Sequence, residues 1–162
     1  RLAYQKGYDI IIERMSEMKS NLNFNLLILG SGELENDLKQ LVISKGLSDY
    51  VRFIGYRKNV SSYIRYADAL LLSSRYEGFP NIVLEANSLG KPVFSNSCKG
   101  GINEIIINGS NGLACDFTNK EDFQNGLHEF LGTKFDESKI VELTSSRYSI
   151  ETIIKKYINF FS

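Results

Sequence analysis

Glu77 and Glu85 are the side chains whose types and placement could do chemistry. They bracket the run Glu77-Gly78-Phe79-Pro80-Asn81-Ile82-Val83-Leu84-Glu85, where an apolar strand pattern gives way to a helical one. Pro80 suits a first helical position, while Gly90 and Pro92 stop the helix. The helix start at Phe79 to Ile82 presents unpaired N–H groups and the positive end of a dipole, a ready anion site. Glu85 stands five residues beyond Pro80, about 7–8 Å along the axis at 1.5 Å per residue. A phosphate on the helix tip would leave Glu85 within reach of an attached ribose, whose two hydroxyls a carboxylate can accept. Glu77 would face whatever lies beyond the phosphate. The competing reading makes Glu77 a solvated loop acid and Glu85 the partner of a surface lysine. Spacing alone leaves both open.

Other groups have plainer readings. Arg1 and Lys6 read, by themselves, as surface cations beside a fraying terminus. Gly30-Ser31-Gly32-Glu33 lacks the third glycine of a dinucleotide fingerprint and the later acid that would hold a ribose, so it is read as a tight turn and not an NAD site. His128, the only histidine, is expected on the exposed side of a late amphipathic helix. Cys98 has no neighbouring histidine to activate it, and Cys115 is expected in the core. The two cysteines have no metal-type spacing, and no metal ligand set is assigned.

The elements that must position these groups alternate along the whole chain. A helical face of Ile11, Met15, Met18 and Leu22 precedes a strand at Phe24 to Gly30. A helix through Leu34, Leu38, Leu41 and Val42 stops near Gly46, and Tyr50 to Gly55 is the second strand. A short helix covers Val60 to Tyr66. Ala69 to Ser73 follows as a strand expected to be buried on both faces, as in a helix-covered parallel sheet. After the helix at 80–89 come a strand at Pro92 to Ser95, a Gly100-Gly101 turn, a helix through Glu104 and Ile107, and a strand at Gly112 to Cys115. From Lys120 to Phe161 the pattern is helical, broken near Gly132 and 145–149. Tyr157, Phe160 and Phe161 share one helical face and are expected to pack against the rest of the domain, ahead of a membrane or partner role. Strand–helix alternation predicts an α/β fold, a Rossmann-like open parallel sheet with helices on both faces, and ligands at the carboxyl ends of its strands.

Composition narrows the classes. The 162 residues are 43% hydrophobic and 23% charged, with 19 basic and 19 acidic side chains. That fits one globular domain. It argues against a nucleic-acid partner, which needs a basic face. The longest apolar runs, such as Leu26 to Leu29, are far short of the roughly 18 residues a transmembrane helix needs. No signal-peptide pattern is present, and a cytoplasmic setting is the simpler expectation for a chain with two cysteines.

Glu77-Gly-Phe-Pro-Asn-Ile-Val-Leu-Glu85-Ala, followed by Gly90-Lys91-Pro92-Val93, resembles the E-x7-E signature of the retaining family 4 glycosyltransferases. Further landmarks of that family fall in order. Arg1-Leu2 and Lys6-Gly7 resemble its G-R-L…K-G opening without the leading glycine. Gly30-Ser31-Gly32 resembles its G-x-G turn, and Val51-Arg52-Phe53-Ile54-Gly55 its V-x-F-x-G strand. Gly100-Gly101, Glu104 and Asn111-Gly112-Leu113 resemble its G-G-x-x-E and N-G-L elements, with Asn103 where a proline is usual. Together these landmarks cover about residues 1–130 and are specific; singly they are not.

The resemblance implies the carboxyl-terminal, nucleotide-sugar half of a GT-B enzyme, with residues 1–162 as the donor domain and the acceptor domain outside this chain. It implies a UDP-sugar as donor substrate, no cofactor, and a glycan or lipid-linked acceptor with peripheral membrane association through the other half, at the inner face. Arg1 and Lys6 would hold the diphosphate and offset its charge as it leaves, without a metal. Glu77 would bind sugar hydroxyls and Glu85 the ribose. Backbone groups of Gly78, Phe79, Pro80, Asn81 and Ile82 would form the phosphate cradle, and the strand at Arg52 would meet the base largely through main chain. The family also carries a central strand ahead of the Arg1 position; lacking it, Arg1 would hang from an unanchored end and bind diphosphate weakly. Two rivals are an acceptor-independent nucleotide-sugar epimerase of the same architecture and a non-catalytic Rossmann-like interaction module.

Overall fold

A computed structural model describes residues 1–161. A short 3-10 turn at Tyr4–Lys6 leads into α1 (Tyr8–Glu17), β1 (Leu26–Leu29), α2 (Glu35–Ser44), β2 (Val51–Gly55), α3 (Val60–Tyr66) and β3 (Leu70–Leu72). Then come α4 (Asn81–Ser88), β4 (Val93–Asn96), α5 (Ile102–Ile105), β5 (Gly112–Cys115), α6 (Lys120–Gly132), α7 (Glu137–Tyr148) and α8 (Ile150–Phe161). Four helices start on side-chain caps: Asn59, Asn119, Asp136 and Ser149 each accept a backbone N–H bond from the first turn, which satisfies donors the helix itself cannot.

All strand pairs are parallel, in the orders β1-β2 and β3-β4-β5. Helices flank them on both sides. Ile11, Ile12 and Met15 of α1, Leu38 and Val42 of α2, and Phe123, Leu127 and Phe130 of α6 form one core with Ile28, Val51, Phe94 and Leu113. Ile64 of α3, Val83 and Ala86 of α4, and Ile102 and Ile105 of α5 form the other, with Val93. Alternation along β4 sends Phe94 to the first core and Val93 to the second, the period-two geometry of a strand covered on both faces.

Three expectations need correction. The parallel strands fall into two groups, the gap expected where the strand ahead of Arg1 is lacking: β1 and β3 each lack a strand neighbour on one edge among the described residues. Residues 1–7 run between their carboxyl ends, since the Leu2 N–H donates to the Ser31 carbonyl and the Ser73 hydroxyl to the Lys6 carbonyl. Leu2 is fully buried, so Arg1 is anchored at its neighbour and does not hang free. As a result of the open edge, β3 is only half-buried along its length, whereas complete burial on both faces was expected. Finally, Tyr157, Phe160 and Phe161 do not pack against the domain; they are 65%, 83% and 79% exposed, because α8 rests on α7 and leaves its apolar face uncovered. Among the described residues no helix is long and apolar enough to cross a membrane.

Candidate functional site

Three loops converge where β3 ends. The chain leaving β3 carries Ser73, Ser74 and Arg75 into the Glu77 loop, the amino-terminal turn brings Lys6, and residues 97–101 after β4 close behind. Gly7 is required at this junction: its φ is +62°, and a Cβ there would lie 2.1 Å from the Ser73 carbonyl oxygen. Cross-loop bonds hold the layers together. Arg75 N–H donates to the Gln5 carbonyl and Glu77 N–H to the Lys99 carbonyl, while Gln5 Nε2 donates to the Tyr76 carbonyl at 3.0 Å.

Glu77 is not a solvated loop acid. Its side chain is 9% exposed and its Oε1 accepts from Lys6 Nζ at 2.7 Å and from the Ser74 hydroxyl at 2.7 Å. Lys6 keeps two further ammonium donors for another ligand. The Glu77 charge is felt around it: burial, then that charge, pushes the Tyr8 hydroxyl up. Burial followed by the same charge also pushes the Cys98 thiol up, so Cys98 is a poor nucleophile at neutral pH. Cys115, in the core, is pushed up to about 12 by burial with lesser help from Asp122, Asp116 and Glu129. His128 lies on the exposed side of α6.

The helix tip differs in detail from expectation. Pro80 is the N-cap of α4 rather than its first helical residue, so the first helical N–H belongs to Asn81. That group is already used, donating to the Phe79 carbonyl at 3.0 Å. The free donors among the described residues are therefore the N–H groups of Gly78, Phe79 and Ile82, Pro80 having none to give. Gly78, Phe79 and Asn81 are exposed and Ile82 is half-buried, so these donors border solvent. Glu85 is exposed, with no ion pair among the described residues, so the lysine-partner alternative is not realised. Arg52 is exposed on β2, directly opposite Leu27. Arg1 is exposed beside the Gly30 turn.

Sequence reasoning missed the supporting residues. Arg75 forms a two-pronged bridge to Asp9, at 2.8 and 2.5 Å, donates to the Tyr4 carbonyl and stacks 4.0 Å from the Tyr4 ring centroid. This clamp fastens the segment carrying Lys6 to the loop carrying Glu77. Asp9 and Arg75 are 66 positions apart, and no local pattern links them. Ser74 lies three residues before Glu77, a proximity that offered the only available hint.

Comparison with known proteins follows the same lines. The family model described as "Glycosyl transferases group 1" matches residues 1–143. An uncharacterized glycosyltransferase of Haemophilus influenzae is 31% identical over 156 residues, 94% of this chain and 44% of that protein. The amylovoran biosynthesis glycosyltransferase AmsD of Erwinia amylovora is 27% identical, over 97% of this chain and 45% of its own length. The chain thus spans less than half the length of these relatives. Among solved structures, the apo form of the lipopolysaccharide outer core galactosyltransferase WaaB superposes with a TM-score of 0.83 at 24% identity, covering 98% of this chain and 45% of that one. Anabaena HepE in complex with UDP and glucose superposes with a TM-score of 0.79 at 21% identity, covering 99% and 46%. These neighbours share the GT-B fold.

Proposed function

The chain belongs to the group 1 glycosyl transferases, and on that premise we propose that it is the nucleotide-sugar-binding domain of a retaining, metal-independent glycosyltransferase that uses a UDP-hexose or UDP-N-acetylhexosamine. The observation that carries this reading is the convergence of Lys6 and Glu77, 2.7 Å apart, beside the unpaired N–H groups that open α4. A cation, a carboxylate and a helix tip at the end of β3 suit a diphosphate joined to a polyol.

In this reading the diphosphate lies against the N–H groups of Gly78, Phe79 and Ile82, with Lys6 and Arg1 over its oxygens. Positive charge held there stabilises the nucleoside diphosphate as its bond to the sugar breaks, which is where negative charge develops. Lys6 can serve phosphate while still bonded to Glu77, because an ammonium has three donors. Glu77 accepts hydroxyls of the sugar, Glu85 accepts the ribose diol one turn or more along α4, and the β2 strand at Arg52 meets the base. The acceptor, a glycan or lipid-linked glycoconjugate, is held by a second domain, which can sit at the inner face of a membrane. AmsD, named for amylovoran biosynthesis, supports the polysaccharide setting, and HepE, described with UDP and glucose, supports the donor.

Calorimetric titration with UDP, GDP and ADP tests the reading. UDP should bind preferentially, and Glu85→Ala should weaken it about tenfold or more, the size of at least one hydrogen bond to a charged group. A folded protein that binds none of the three nucleotides would favour a non-catalytic interaction module.

A further inference from the structure

Among the described residues, the two side-chain hydrogen bonds that the Glu77 carboxylate accepts end on the same oxygen, Oε1, one from Lys6 and one from Ser74. A carboxylate left to itself rotates; one tied through a single oxygen by two donors from different directions presents the other oxygen in a fixed place. Ser74 is suited to impose that. It is completely buried, its hydroxyl lies 2.7 Å from Oε1, and its own backbone is held from below. The Ser74 carbonyl accepts from Asn96 Nδ2 at 2.9 Å, and the Oδ1 of that asparagine accepts the Phe117 N–H at 2.9 Å. Asn96 is 4% exposed and Phe117 fully buried. A continuous chain of bonds therefore runs from the segment after β5, through β4, to the Glu77 carboxylate.

We infer that Ser74 is a positioning residue for donor-sugar recognition: by committing Oε1 it aims Oε2 of Glu77 at the sugar. The inference rests on the donor-site reading above and adds a residue to it. Lys6 alone cannot fix the carboxylate, because its side chain is long, 29% exposed and in that reading shared with phosphate. The serine hydroxyl is short and enclosed, with no competing ligand.

The test separates sugar recognition from nucleotide binding. On the full-length protein, Kd is measured calorimetrically for UDP and for UDP-glucose and UDP-N-acetylglucosamine, and the ratio Kd(UDP)/Kd(UDP-sugar) is compared among variants. Ser74→Ala should lower that ratio about five- to tenfold, the worth of a well-aimed hydrogen bond. UDP affinity should change by less than about twofold, and it also reports that the site is folded. Ser74→Thr, which keeps the hydroxyl, should restore the ratio wherever it binds UDP normally. Glu77→Ala should lower the ratio at least as far as Ser74→Ala. If Glu77→Ala lowers it and Ser74→Ala does not, or if Ser74→Ala weakens UDP and UDP-sugar equally, the inference is overturned while the site stands. A threonine variant that binds UDP normally but keeps the alanine ratio also overturns it. If Glu77→Ala leaves the ratio unchanged, or no nucleotide binds the unaltered protein, the donor-site reading fails and the inference with it.

Discussion

Asp9 and Arg75 show how a pair beside Lys6 and Glu77 holds the segments that carry them. Hydrogen bonds from Arg75 hold the Asp9 carboxyl below its ordinary 3.8, outweighing the opposing effect of partial burial. A depressed carboxyl contributes stability above its unfolded pKa and loses it as pH falls through the lower folded value. Asp9→Asn should therefore lower the urea midpoint at pH 7, and the gap should close below about pH 4. The Asp9 side chain is 43% exposed, so solvent screening limits the loss to about 1 kcal/mol or less. A gap that stayed constant from neutral to acid pH would show that the carboxylate charge contributes nothing. The place of Glu77, in a loop between β3 and α4, was legible in the sequence because a strand signal gives way there to a helix signal. The Arg75 clamp was not, since it depends on two segments that only the fold brings together.

At the scale of elements, the Glu77 loop is shaped by a second loop lying against it. Gly100 has φ +122°, and a Cβ there would fall 1.6 Å from the Glu77 carbonyl oxygen. Gly109 also has a positive φ, +79°, but open space around the would-be Cβ. Gly109→Ala should cost about 1 kcal/mol of backbone strain, whereas Gly100→Ala should cost roughly 3 kcal/mol or displace the Glu77 loop. Urea unfolding of both variants gives the comparison; equal losses would mean that strain and not the close approach sets the cost. Element types were legible because hydrophobic periodicity reports which face is apolar. It does not report what covers that face. Leu22 was placed on the α1 face, yet α1 stops at Glu17 and a 3-10 turn at Lys19–Asn21 intervenes. The same limit explains α8, whose apolar stripe was read correctly as a stripe and incorrectly as a packed one.

For the whole molecule, the divided sheet raises the question of what makes the two parts one body. The bond is side-chain packing rather than a strand ladder. Leu26, Ile28, Val51 and Phe53 of the β1-β2 pair reach the same core as Leu71, Phe94 and Leu113 of the other sheet. Phe94 lies 4.8 Å from Phe117 and 5.2 Å from Phe130 between ring centroids. Alternation along the chain gives parallel strands and their helices but not which strands neighbour each other; the gap was anticipated only from the strand that the resemblance places ahead of Arg1. The division has a measurable consequence, because protection against hydrogen exchange follows burial and pairing. β4 is paired on both edges and every residue of it is buried, while β1 is paired on one edge and Leu27 is 46% exposed. In the 162-residue chain, amides of Ser95 and Asn96 should exchange only through global unfolding. Those of β1 should open locally and exchange about tenfold faster or more, a difference of about 1.4 kcal/mol in opening free energy. Equal protection in β1 and β4 would mean that the shared core couples the two sheets as tightly as a continuous ladder.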